Sequence, residues 1–582
     1  MELTLVAVIG VVSIVAVAVF SERLGLAAPL SLVVVGIALS FIPGVPHPEI
    51  EPEWILGGVL PPLLYSAAVN MPVVDFRRNL KPISGLAVLL VVVSTLGAGW
   101  LFHGLLPEIG WPAAFALGAV ISPTDAVAAT SVGRRLGLPR RLLTVLEGEG
   151  LVNDASALVL LRSAVAAIAG TFSLWGIVGE FVYAVVVAIA IGVAVGMVNV
   201  RVRGLLGDAV LNTAISFVVP FVAYLPAEEL GASGVLAVVV AGVVTGHQSS
   251  RFLRATDRLA ESTNWRTLAF LLESGMFLLM GLSVKTLIDQ VHDSGLGAGR
   301  ALVIGLLAAA LVIVVRVVFV APLVAGMRRE QERAAAAKPR IEQIEARLRG
   351  TGGTEPDERL RNVTPEKKAR LQRRVTKVSA DVEFRLNETL GWRGGVVLAW
   401  AGMRGAITLA AAQSLPDDTP DRAQLILIAY VVATTTLLLQ GLTLPAVIRS
   451  VRIPPDDPDR VRGEYVRLLG DLTQAAESVL GDPQLTDRDG KPFGERAVSQ
   501  VRSESRPRRH DEGAEGPLTE EEVGSRDQYL QLRLRVLTAQ SECLLAARST
   551  GTYGSAVLNQ AQTMLDVDTA RLQQITDAVS DR

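Results

Sequence analysis

The sequence predicts an all-α membrane protein of about thirteen transmembrane helices, and three of its features carry that prediction. Hydrophobic residues fill 50% of the 582 positions and charged residues only 19%, where a soluble chain carries about a quarter. The charges are also segregated. Residues 1–326 and 392–450 are nearly charge-free over long stretches, while 327–391 and 451–582 are densely charged. Finally, the charge-poor parts break into repeated apolar runs, and about 20 such residues cross a bilayer core as a helix. A single anchor on a soluble enzyme does not fit this pattern, and no nucleic-acid partner is expected.

The first run follows an acidic start (Met1, Glu2) rather than a basic leader, so 3–20 reads as a span and not as a cleaved signal. Further runs lie near 25–42, 54–72, 82–106, 111–132, 142–169, 174–200, 208–226, 230–246, 263–285 and 299–325, which completes a transmembrane part over 1–326. A charged loop over 327–391 follows. In it Glu330–Arg349 and Glu366–Asn387 read as amphipathic helices joined by Gly350, Gly352 and Gly353. Two more runs, 392–415 and 423–449, complete the spans. The tail, 451–582, combines a disorder-like middle (Ser503–Gly516) with helical stretches at Gln528–Ala547 and Gly554–Ile575.

Alternate ends of the runs are basic, as at Arg77, Arg78 and Lys81, at Arg134, Arg135, Arg140 and Arg141, and at Arg328 and Arg329. The opposite ends are acidic or neutral, as at Glu49, Glu51, Glu53, Glu228 and Glu229. The positive-inside bias then puts the N-terminus outside and the C-terminus in the cytoplasm of a cell-membrane protein. The lone cysteine, Cys543, excludes an intrachain disulfide, and the five histidines form no ligand-spaced cluster, so no cofactor is expected.

Chemistry is sought at ionisable groups inside the apolar runs, because each costs about 2.5–3.5 kcal/mol at a helix centre and survives only with partners or water. They are Asp125, Glu149, Asp154, Arg162, Glu273, Arg316 and Arg404. In GAVISPTDAVAAT (118–130), Pro123 removes a backbone donor and disfavours helix at Ser122. A helix broken there would line a polar cavity. Thr124 would then offer oxygens to a cation, and Asp125 would either neutralise the half-helix N-terminus or act as a local cap. In EGEGLVNDAS (147–156), Glu149, Asn153 and Ser156 share one helix face, and Asp154 lies about 100° round from Asn153. An Asn–Asp pair supplies one titratable carboxylate and one amide. Asn153 either touches the ion or holds Asp154. Arg316 has no acid near it in sequence, and Glu149 is its expected distant partner. Arg404 either pairs with an acid or bonds the carbonyls of a broken helix, and its flanks Gly402 and Gly405 point to a close backbone approach. Glu273 either caps a span or lines the path, and Arg162 snorkels.

At these residues the chain resembles the monovalent cation:proton antiporters, specifically the bacterial sodium/proton exchanger branch. The resemblance rests on SPTDAVAAT, EGEGLVNDASALV, the Arg316 span and GMRGAITLAAA, in order over roughly 1–450. The segments LRLRVLTAQSECLLAARS and LNQAQTMLDVDTARLQ also resemble the tails of some bacterial members. The resemblance implies inverted repeats with two crossed broken helices, a dimerisation part and hence a homodimer. It implies that Asp154, Asn153, Thr124 and Asp125 bind sodium and proton, with sodium held through Asp154 and Thr124. It also implies that Glu149 pairs with Arg316, that Arg404 supports the core, and that an Asn–Asp pair accompanies electroneutral exchange. Two positions depart from the family pattern. Ser66 stands in LPPLLYSAAVN where many members carry an acid, and Gly150 stands where many carry Ser. Ser66 and Ser156 remain candidate path residues.

The expected function is therefore exchange of sodium (or lithium) for protons by competition at Asp154, without enzymatic chemistry. Potassium/proton antiport is the alternative within transporters. An intramembrane aspartyl protease built on Asp125 and Asp154 is the alternative outside them, but Asp154 follows Leu-Val-Asn and lacks the Gly-x-Gly-Asp setting of that class.

Overall fold

In a membrane every backbone polar group must find its partner within the protein, so apolar runs of this length become helices. A computed structural model describes residues 2–25, 27–43, 45, 51–168, 174–293, 297–349, 364–388, 390–487, 490–505 and 520–580. Among them the structure is helical, apart from turns and one isolated bridge between Thr486 and Pro492. Glu49, the glycine link at 350–353 and most of Ser503–Gly516 lie outside the described residues.

The helices are α1 (Glu2–Leu24), α2 (Ala28–Ser40), α3 (Leu60–Asn70, entered through a π-helical turn at Trp54–Val59), α4 (Val73–Arg78), α5 (Leu80–Ser84) and α6 (Val91–Leu105). Then come α7 (Gly110–Ile121), α8 (Ala126–Arg135), α9 (Arg140–Ile168), α10 (Leu174–Gly204), α11 (Ala209–Glu229), α12 (Gly234–Phe252), α13 (Ala255–Leu282) and α14 (Val284–Asp293). The remainder are α15 (Ala298–Arg349), α16 (Pro365–Asn387), α17 (Gly391–Trp400), α18 (Ala406–Gln413), α19 (Arg422–Val451), α20 (Pro458–Leu480), α21 (Glu495–Glu504), α22 (Glu520–Thr550) and α23 (Ser555–Ser580).

Among the described residues, eight helical stretches are long and apolar enough to cross a membrane, and Val8–Ser21, Ala28–Ser40 and Trp54–Asn70 are shorter apolar helices. The chain is a multi-pass membrane protein. One expected boundary is absent: the apolar run at 299–325 and the charged helix at 330–349 form one 52-residue helix, α15. It continues through Pro322 and Pro339, each of which lacks a backbone donor.

The chain divides into two units. The first comprises Met1–Ser249, Glu261–Glu330 and Thr389–Pro455, and the second Ser250–Ala260, Gln331–Glu388 and Asp456–Arg582. The first holds two large apolar clusters. One gathers α6, α7, α15 and α19, and the other gathers α3, α11 and α12. Both draw on α9, the first at Leu142 and Val145 and the second at Leu151 and Ala155. Small residues set the closest crossings, as lipid packing favours. A Cβ on Gly36 of α2 would lie 2.6 Å from the Leu278 carbonyl oxygen of α13.

In the second unit, leucines of α20, α22 and α23, among them Leu468, Leu537, Leu544 and Leu565, share a core. The Ser250–Ala260 segment belongs to this unit. Arg258 pairs with Asp566, its Nε donating at 3.0 Å, and Arg548 donates to Ser250 Oγ at 2.9 Å.

Candidate ion-exchange site

The site begins with two interruptions. α7 stops at Ile121 and α8 starts at Ala126, while α17 stops at Trp400 and α18 starts at Ala406. Ser122 still keeps helical angles (φ −73°, ψ −42°), so the first break falls at and after Pro123 rather than before it. Asp125 is extended (φ −88°, ψ 118°) and caps α8, accepting from the Val127 amide at 2.8 Å. The local-cap role is therefore real. The two breaks meet, because the Asp125 amide donates to the Met403 carbonyl at 2.7 Å.

Breaking a helix frees carbonyls at its C-terminal end, where partial negative charge also accumulates. Two buried arginines serve those ends. Arg404 donates from Nε to the Ile121 carbonyl at 3.1 Å, at the end of α7, and from Nη1 to the Gly402 carbonyl at 2.6 Å. Arg316, from α15, donates from Nε to the Leu398 carbonyl of α17 at 3.1 Å. The glycines beside Arg404 make room for this. A Cβ on Gly402 would lie 2.3 Å from Arg316 Cδ, and one on Gly405 would lie 2.2 Å from Asp125 Oδ2.

Arg316 also binds Glu149 with both nitrogens, Nη1 to Oε1 at 2.5 Å and Nη2 to Oε2 at 2.8 Å. The two side chains are 1% and 3% exposed, so this is a dry bidentate pair. Thr124 donates its hydroxyl to Glu149 Oε1 at 2.6 Å. Asn153 donates to the Thr124 carbonyl at 2.7 Å and reaches its hydroxyl oxygen at 3.1 Å. The carbonyl partner fixes which end of the Asn153 amide is nitrogen. Its Oδ1 is buried without a hydrogen-bond partner among the described residues. Thr124, Asn153, Glu149 and Arg316 thus form one chain of contacts that ties α9 and α15 to the first break.

Asp154 stands outside that chain. It is buried, and no hydrogen bond or ion pair from a described residue engages its carboxylate. It lines a cavity of about 710 Å³ together with Thr124, Asp125, Gly150 and Ser66. The same cavity takes Arg134, in the last turn of α8, together with Glu147 of α9 and Arg266 of α13. On another side, Asp154 borders a crevice of about 10 Å³ whose other lining residues, such as Leu158, Leu161, Ile407 and Ala411, are apolar.

Ser66 of α3 faces the cavity, while Ser156 donates back to the Val152 carbonyl at 3.3 Å and is not among the lining residues. Glu273, for which the sequence left two roles open, lines the cavity from α13. Its signal was a stripe: Ser262, Arg266, Ala269, Glu273 and Phe277 recur at helical spacing, and all line the cavity. Arg162 does more than snorkel, since it pairs with Glu228 and donates to the Ala232 carbonyl at 3.3 Å. Among the described residues no group of three or more His, Cys, Asp or Glu side chains could hold a metal ion. A cation here would rest on few carboxylates, with hydroxyl, carbonyl and water oxygens completing its shell.

Residues 9–450 match the family described as "Sodium/hydrogen exchanger, transmembrane", and the chain belongs to that family. It is a transporter and not an enzyme, which removes the protease alternative. Among similar proteins, an uncharacterised Na(+)/H(+) exchanger of Mycobacterium tuberculosis is 29% identical over 99% of this chain and 97% of its own length. The low-affinity Na(+)/H(+) antiporter NhaS1 of Synechocystis is 30% identical over 79% of this chain and 75% of its own. The solved structure of the sodium proton antiporter MjNhaP1 from Methanocaldococcus jannaschii aligns with a TM-score of 0.53. It is 15% identical and covers 78% of this chain and 99% of that one, which supports the fold.

Proposed function

We propose that the protein exchanges sodium for protons across the cell membrane by competition at Asp154, one cation against one proton. The carrying observation is the division of labour among the buried acids. Glu149 is committed to Arg316 and Asp125 to the α8 amide, whereas Asp154 faces the cavity unpaired. Burial disfavours a bare carboxylate, so Asp154 is stabilised by taking either a proton or a cation. Each carries one positive charge, so the loaded site has the same net charge in both directions, and the exchange is electroneutral.

Thr124 and Asn153 are assigned to shaping the ion shell, with the unpartnered Asn153 Oδ1 as a candidate oxygen. Glu273 gives the cavity an acid on α13, whereas α3 offers Ser66. Arg134, one of the basic helix ends, lines the cavity and supports a cytoplasmic opening, with an external N-terminus and a cytoplasmic C-terminus. Thirteen crossings with two crossed broken helices fit this orientation. A homodimer, which the family resemblance implies, is tested by the mass of the particle in detergent.

The decisive experiment is dye-monitored exchange in proteoliposomes with sodium, lithium and potassium gradients across pH. Sodium should drive proton flux that is insensitive to a clamped membrane potential. Asp154→Asn should abolish the flux while the protein still inserts. Normal sodium-driven flux in that variant would overturn the assignment, and a larger response to potassium would transfer the reading to a potassium/proton antiporter.

A further inference from the structure

α16 (Pro365–Asn387) carries an apolar stripe without an apolar partner among the described residues. Leu371, Val375, Val378 and Val382 recur at helical spacing and fall within about 60° of the helix circumference. None of them is buried or joins an apolar cluster, and Leu371 and Val378 are 38% and 44% exposed. The rest of the helix is strongly basic. Lys367, Lys368, Arg370, Arg373, Arg374 and Lys377 lie close together, with Glu366 as the one acid of this helix before Asp381. No ion pair or hydrogen bond from a described residue engages any of the six. Lys367 and Arg374 border the stripe on one side and Lys368 on the other. Unpaired cations on one helix repel each other, and a bare apolar stripe in water is unfavourable. A partner that is anionic at its surface and apolar beneath relieves both.

We propose that α16 docks on the anionic headgroup surface of the cytoplasmic leaflet, with its stripe at the acyl boundary and its basic residues among the lipid phosphates. This rests on the cytoplasmic placement of 327–391 that accompanies the exchange reading above. The chain supplies the reach. α16 ends at Asn387 and α17, a half-helix of the second break, begins at Gly391, so about 14 Å of extended chain separates them. A basic helix with an apolar stripe also fits an acidic groove on a protein. The short tether favours the bilayer, because it keeps α16 near the headgroups and makes docking intramolecular. The attraction is Coulombic, so salt screens it. Docking has a place in the exchanger: α16 lies in the connection between α15, which carries Arg316, and α17, whose Leu398 carbonyl accepts from Arg316 at 3.1 Å.

The test uses the full chain in liposomes, with Cys543→Ser removing its one cysteine. An environment-sensitive fluorophore is attached at Val378→Cys and, in a separate protein, at Leu371→Cys. Liposomes of phosphatidylcholine alone are compared with an equal mixture of phosphatidylcholine and phosphatidylglycerol. The anionic liposomes should shift the emission of both probes to the blue, and concentrated choline chloride should reverse the shift. Lys368→Gln and Arg374→Gln should each lower the ratio of docked to free helix about fivefold. The salt titration needs neither of these variants, so it decides if they fail to fold. Equal emission in the two lipids would overturn the proposal: unshifted, it marks a solvated helix; blue in both and in detergent, it marks cover by protein, such as a second copy or an acidic partner. A shift that salt leaves intact would overturn it too. Failure of the exchange reading is a separate result, seen as sodium-driven flux persisting in Asp154→Asn.

Discussion

At the residue scale, the pairing of Glu149 with Arg316 leaves Asp154 as the unpaired acid. A buried ion pair contributes little net stability, but removing one partner strands the other charge at a cost of about 3–5 kcal/mol. Arg316→Met should therefore lower the melting temperature in detergent sharply. Adding Glu149→Gln should recover much of the loss, since both charges are then gone. Independent, additive losses in the double variant would disprove the coupling. This pair was legible in the sequence because an arginine in LVIVVRVVFV needs an acid from elsewhere. For Arg404 the sequence left an acid and broken-helix carbonyls as alternative partners, because nothing in GMRGAITLAAA says which helix end it will meet.

At the element scale, α13 joins several parts of the first unit. Glu261 on it accepts from Arg203 of α10 at 2.8 and 2.9 Å. Trp265 donates to Ser216 of α11 at 3.1 Å and packs on Tyr65 of α3 with ring centroids 5.2 Å apart. Farther along, Glu273 reaches the cavity. Glu273→Gln should weaken sodium binding while leaving coupled exchange intact, seen as a several-fold higher half-saturating sodium concentration at unchanged maximal rate. An unchanged sodium dependence would remove Glu273 from the path. In the sequence only Glu273 stood out on this helix, and which element it faces was not legible because that depends on how α13 packs. Long apolar helices were readily predicted, whereas the fusion of the 299–325 and 330–349 segments into α15 was not, because the abrupt change from an apolar to a densely charged run reads as an element boundary while the backbone continues through it.

At the scale of the whole molecule, the chain divides into two units, and the second has its own pH response. Burial, reinforced by Glu504, raises the Tyr529 phenol above its ordinary value. Burial also raises Tyr553, reinforced by Asp471, to which it donates at 2.5 Å. A phenol whose folded value exceeds the unfolded value of about 10 stabilises the fold fully below that pH, and this contribution is lost as pH climbs through the raised value. Tyrosine ring-carbon NMR should find both phenols still protonated at pH 10, and Tyr553→Phe should flatten part of the alkaline unfolding of the second unit. Ordinary titration of both would contradict the contacts.

The sequence by itself determined the membrane class, the helical runs and the identity of the ionisable groups, because lipid leaves an apolar chain few alternatives and makes every buried charge conspicuous. Tertiary structure alone decided what the remaining charges meet: Arg404 donates to the carbonyls of Ile121 and Gly402, and Glu273 is brought to the cavity of Asp154. The physical reason is range: helix formation answers to neighbours three and four residues apart, while the partner of a buried charge is chosen by how the helices cross.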